Sequence, residues 1–170
     1  MAWYRGARRP LDEAEKSTDA AKARARAMEL LAGQELSSGG LYERLNRRFA
    51  GQTAAAVVAE MVEREYVNDA RYAETRAHGL LAAKKSRRAA AQNLRQKGLS
   101  APQIEQALDT VYAADETGED PELEAAAALV DSRYRKKLEA GRRDLGVAAL
   151  MRRGFAYPVI RDAIQRVEQE

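Results

Sequence analysis

Apolar positions in this chain recur with a helical period, and then recur again as a block. Leu94, Gly98, Leu99, Pro102, Ile104, Ala107, Leu108 and Val111 return 56 residues later as Leu150, Gly154, Phe155, Pro158, Ile160, Ala163, Ile164 and Val167. Each position keeps its residue or exchanges one apolar side chain for another. An earlier copy lies 50 residues upstream in Phe49, Ala54, Val57, Val58 and Met61, and Leu45 matches Leu94 at an offset of 49. The one-residue slip is a glycine missing between Arg48 and Phe49. Recurrence at a nearly fixed offset is the sequence mark of a repeat architecture.

Each copy reads as three helices. In the second, Asn68 or Asp69 caps a helix carrying Ala73, Ala77, Leu80 and Leu81, a 3.6-residue stripe. Ser86 caps the next, with Ala91 and Leu94, and Gly98 supplies a left-handed turn after it. Ser100 and Gln103 have capping-box spacing, and Pro102 falls in the first turn of the third helix. In the third copy, Asp120 caps before Pro121, Asp144 caps before Val147 and Leu150, and Pro158 opens the last helix. The expected organisation is a disordered tail over 1–18, repeats over 19–67 and 68–114, an acidic linker over 115–119, and a third repeat over 120–170. Trp3 and Tyr4 are unusual in such a tail, and suit loose packing on the body or a partner anchor. Six acids without a base between Asp115 and Glu124 read as a solvated segment. The fold class is all-α: three tandem three-helix, helix-turn-helix-like repeats in an elongated, curved array, expected as a monomer.

Composition sharpens this picture. Only 6% of the 170 residues are aromatic against 45% hydrophobic, so the core rests on Ala, Leu, Val and Ile. There is no Cys, which excludes disulfides, thiolate chemistry and cysteine zinc sites. No apolar run approaches a membrane span, and the basic first ten residues lack the apolar core of a secretory signal. A cytoplasmic location is expected.

A net charge of +3 is modest, so local clustering matters more. Between Glu74 and Glu105 there is no acid, yet Lys84, Lys85, Arg87, Arg88, Arg95 and Lys97 occur. The third copy carries Arg135, Lys136 and Lys137. These runs suit a polyanion or an acidic protein surface. Arg48, Lys97 and Arg153 share one repeat position, in a helix's last turn, where the helix dipole favours cations. The turn Ser100-Ala101-Pro102-Gln103 is poor in side chains for bidentate base contacts, which argues against sequence-specific DNA reading. Catalytic chemistry finds no support. His78 is solitary in mid-helix, no phosphate-binding glycine loop occurs, and the acidic segment does not fit a calcium loop. No cofactor or metal is expected, and the chain is not expected to be an enzyme.

Tyr66, Val67, Asn68, Asp69, Arg71 and Tyr72 form a helix–cap–helix joint whose order resembles a signature of the RecX regulatory proteins. Leu94, Lys97 and Gly98 lie in Leu94-Arg95-Gln96-Lys97-Gly98-Leu99, which is similar to that family's second repeat, and the segment from Leu150 to Phe155 resembles its third. The resemblance spans about residues 20–168. It departs at the glycine absent before Phe49, at Ala54 where the other copies have Ile, and at Glu65 where a glycine is common. It implies binding to the RecA recombinase on its DNA filament, with restraint of ATP hydrolysis, strand exchange and co-protease activity. The basic residues of the second and third copies would carry the contact. The alternative is a helical-repeat protein that binds single- or double-stranded DNA without sequence preference.

Overall fold

The computed structural model describes residues 9–114 and 118–169. Trp3, Tyr4 and much of the 115–119 segment lie outside them. The chain divides into two compact units, one ending at Asn68 and one beginning at Asp69.

The first unit holds α1 (Ala20–Gly33), α2 (Ser38–Asn46) and α3 (Gly51–Glu63). Asp19 caps α1 by accepting from the Lys22 N–H, and buried Ser37 caps α2 by accepting from that of Gly40. Ala23, Ala27, Leu41, Leu45, Phe49, Val57, Val58 and Met61 close the core. The expectation of a disordered tail to residue 18 fails for its last part. Glu13–Glu15 form a 3-10 turn closed by an Asp12/Glu15 capping box. Ser17 then bridges the turn after α2, donating to the Arg48 carbonyl (2.9 Å) while its own carbonyl accepts from Ala50 N–H (2.9 Å). The Glu13 carboxylate accepts from Gly51 N–H, and the Lys16 ammonium donates to Asn46 Oδ1 at 3.0 Å. No apolar stripe announced this segment because backbone and polar groups hold it.

The second unit holds two copies. The first comprises α4 (Asp69–Ala82), α5 (Arg87–Gln96) and α6 (Ala101–Val111). The second comprises α7 (Pro121–Leu129), a π-helical stretch Val130–Tyr134 leading into α8 (Arg135–Glu139), then α9 (Arg143–Arg152) and α10 (Tyr157–Gln169). The repeated apolar positions are buried in both copies, including Leu94, Ile104 and Leu108, and Leu150, Ile160 and Ile164. Ser86, the Ser100/Gln103 box and Asp120 cap as expected. Asp144 does not: α9 starts two residues earlier with Arg142 at its cap, so Asp144 sits inside the first turn and pairs with Arg142. The acids after residue 119 are not a solvated linker. Asp120 caps α7, Glu122 is half-buried, and Glu124 pairs with Arg166.

Helix ends show what the missing and replaced glycines mean. Gly98, Gly141 and Gly154 have φ of 78°, 73° and 90° after their helices. Glu65 and Lys84 adopt the same left-handed conformation, at 59° and 57°. Both end their helices with a 6→1 bond, Tyr66 N–H to the Met61 carbonyl and Lys85 N–H to the Leu80 carbonyl. The turn after α2 has no left-handed residue; Phe49 N–H bonds back to Leu45 instead, and Ser17 covers the turn.

Candidate partner-binding face

The basic run from Lys84 starts at the end of α4 and covers one side of α5. Lys84 and Lys85 occupy the turn between the two helices and are exposed. Arg88, Ala91 and Arg95 are spaced i, i+3, i+7 and so share a face of α5. Arg88 and Arg95 are exposed, with the small Ala91 between them. That face forms one wall of a groove of about 540 Å³. Ile104 and Leu108 of α6 and Phe155 of the α9–α10 turn supply apolar lining, and Glu105 and Glu122 stand among the arginines. The groove therefore offers apolar surface rimmed by guanidinium groups. The side chains of Lys84, Lys85, Arg88 and Arg95 make no hydrogen bond or ion pair with the described residues.

Arg87 departs from the expectation that every basic residue of the run carries the partner contact. It is half-buried, and its guanidinium donates to the Leu108 carbonyl (2.9 Å) and to Asp109 (2.5 Å). Its backbone N–H donates to Glu122 Oε1 at 2.9 Å. Burial pushes the Glu122 carboxyl above its ordinary pKa, against the lowering effect of that bond. Tyr112 lies under the same junction. Its hydroxyl donates to the Lys85 carbonyl, and burial raises its pKa to about 12. Arg87 thus fixes α5 to α6 and α7.

In the third copy, Arg135 is half-buried, bonding to Asp131 at 2.6 Å and reaching the Val167 carbonyl at 3.5 Å. Lys136 is exposed, and Lys137 sits 5.6 Å over the Tyr134 ring. None of the three lines the groove. The structure brings Arg87, Arg88 and Arg95 together, puts Lys84 and Lys85 at the turn beside them, and leaves Arg135–Lys137 elsewhere.

Sequence reasoning missed the junction that shapes the groove. Buried Ser86 caps α5 and also donates to the Arg153 carbonyl at 2.9 Å. Gly154 follows, so close that a Cβ there would lie 2.8 Å from Ser86 Oγ. Within the joint at 66–72, Val67 is buried while Tyr66, Asn68 and Arg71 are exposed and Asp69 and Tyr72 are half-buried. Lys97 and Arg153 occupy helix C-caps, as their position implied.

Residues 68–108, which contain α4, α5 and most of α6, match the family model of the RecX second three-helix domain. These residues thus carry a RecX-type second three-helix domain. The matched RecX segment includes Asn68–Tyr72 and the Leu94–Gly98 stretch, and stops short of the third copy. The fold agrees over a greater length. A crystal structure of RecX from Lactobacillus salivarius is 18% identical, with a TM-score of 0.77 over 89% of this chain and 98% of that one. A second crystal structure, of a regulatory protein RecX, is 22% identical, with a TM-score of 0.72 over 89% of this chain and 73% of its own. At these identities the likeness is one of fold. No curated protein sequence matches the chain. Among the described residues, no helix is long and apolar enough to cross a membrane.

Proposed function

We propose that this chain is a non-catalytic regulator that binds the RecA–DNA filament and restrains RecA's ATPase, strand-exchange and co-protease activities. The observation that carries the reading is the rim of Lys84, Lys85, Arg88 and Arg95, which lie in the RecX-matched segment and make no ion pair with the described residues, beside a groove with apolar lining. The RecX-domain match suggests the target, and the rim suggests the contact. Arg87 positions α5 and is not itself a docking group. Lys136 and Lys137 are a secondary contact.

The test titrates the chain into RecA-catalysed, single-strand-DNA-dependent ATP hydrolysis. Lys84, Lys85, Arg88 and Arg95 changed together to Gln should raise the half-restraining concentration by at least about tenfold, since rim charges steer association and orient docking. Lys97→Gln serves as the control, because that residue sits at a helix end. A folded quadruple variant that restrains RecA at unchanged concentration removes the site. If binding to bare DNA falls in parallel, the contacts are to phosphate, and the sequence-independent DNA-binding reading takes over.

A further inference from the structure

The first unit carries a second concentration of positive charge, built differently from the α5 rim. Arg26 of α1 and Arg44, Arg47 and Arg48 from the end of α2 line one concavity of about 300 Å³, with Leu30 and Phe49 as its apolar residues. Arg26 pairs with Glu29 at 2.8 Å. Arg44 is half-buried and, with the Gln34 amide oxygen turned toward it, donates to that neutral oxygen at 2.6 Å rather than to a carboxylate. The side chains of Arg47 and Arg48 have no ion pair with the described residues.

The internal repeat shows that this charge exceeds what the helices need. Buried Ala23 and Ala27 of α1 correspond to buried Ala73 and Ala77 of α4, which aligns Arg26 with Arg76. Leu45 corresponds to Leu94, which aligns Arg44, Arg47 and Arg48 with Asn93, Gln96 and Lys97. In the second copy, Arg76 Nε donates to Asn93 Oδ1 at 3.1 Å. The first copy puts a second guanidinium where that amide acceptor stands. Two cations, Arg95 and Lys97, meet the dipole at the end of α5, whereas the end of α2 carries three arginines joined in the concavity by a fourth from α1, more than that dipole alone asks for. Four guanidinium groups converge here from two helices with one carboxylate partner, Glu29, among them, an excess that favours a planar or tetrahedral oxyanion, which accepts several N–H donors at once.

We infer that the concavity between α1 and the end of α2 binds a phosphate group, through Arg26, Arg44, Arg47 and Arg48. Two sources share this chemistry, a phosphodiester of a nucleic-acid strand and free inorganic phosphate. The site lies outside the RecX-matched segment and outside the α5 rim, so it stands or falls without RecA.

The experiment uses the full chain alone. Fluorescence anisotropy with a labelled oligodeoxythymidine strand is measured over a salt series, for the unaltered chain and for Arg44→Asn with Arg47→Gln. The variant should lose affinity by about tenfold at low salt. Its slope of log affinity against log salt should be shallower by about 1.4, near 0.7 for each phosphate contact removed from a single strand. In a second arm, inorganic phosphate at millimolar concentration is added and thermal unfolding is followed. A rise in melting temperature in the unaltered chain but not the variant identifies free phosphate as a ligand; oligonucleotide binding alone identifies the phosphodiester chain. An unchanged oligonucleotide affinity and slope, together with no phosphate effect, overturns the inference. If the double variant loses its helical circular-dichroism signal, Arg26→Gln and Arg48→Gln are read singly by the same criteria. Lys84, Lys85, Arg88 and Arg95 remain intact throughout, so a failure here leaves the RecA reading to its own test.

Discussion

Gly154 is held in place by two constraints. Its φ of 90° is a conformation that L side chains rarely adopt, and its missing Cβ is what lets the α9–α10 turn reach Ser86. Gly141 has a φ of 73° but open space around it. Gly141→Ala should therefore cost only backbone strain, roughly 1 kcal/mol, while Gly154→Ala should cost about 2–4 kcal/mol because a rigid, buried Ser86 must also give way. Urea unfolding of both variants tests the difference, and equal losses would contradict the close approach. Glu122 offers a pH test at the same junction. Burial raises its pKa above the ordinary 4.5. The folded state therefore favours the protonated acid, and that contribution is full below the unfolded pKa and lost as pH rises through the folded one. Glu122→Gln, which keeps an oxygen for the Arg87 N–H, should gain stability relative to the unaltered chain between about pH 4 and about pH 7. A constant difference in unfolding midpoints across that range would rule this out. The left-handed turn at Gly154 follows from its repeat position, but its approach to Ser86 does not, and Glu122 looks like one more acid in an acidic stretch.

At the level of elements, spacing was a good guide wherever a helix buries a stripe. Ile104, Ala107, Leu108 and Val111 of α6 are all buried, as are their counterparts Ile160, Ala163, Ile164 and Val167 of α10. Leu108→Ala should cost about 2–5 kcal/mol by cavity formation, measured by chemical denaturation; a loss below about 1 kcal/mol would mean that α6 is not packed as described. The guide failed at Asp144, where an acid in a helix's first turn has the same sequence appearance as an acid at its cap. It also failed at Val130–Tyr134, whose π-helical winding has no periodic signature. In the basic run, every other member is exposed, but Arg87 folds back onto Leu108 and Asp109. An arginine's long side chain allows either fate, and only the position of α6 selects one.

At the scale of the whole molecule, three repeats in sequence become two compact units. The second and third copies share one unit because Ser86–Arg153, Arg87–Glu122 and the Gly154 contact join them. Three-helix pieces of about 50 residues are marginal alone. Residues 69–170 expressed without the first unit should unfold cooperatively, followed by circular dichroism. Residues 119–170 alone should lack a cooperative transition. A cooperative 119–170 fragment would show that the junction contributes little. The first unit meets the same size limit differently, by ordering residues 12–17 over the turn where its glycine is missing.

The sequence by itself determined the helical class, the repeats, the capping serines, the buried stripes and the extent of the basic run. These are local or periodic properties, fixed by the geometry of a helix and by duplication. Tertiary structure alone decided which basic side chains stay unpaired, that Glu122 is half-buried, that Ser17 seals the first unit, and that Arg26 and Arg44 line one concavity. Those outcomes depend on which groups from distant segments come within hydrogen-bond reach, and charge order along a chain carries no record of that distance.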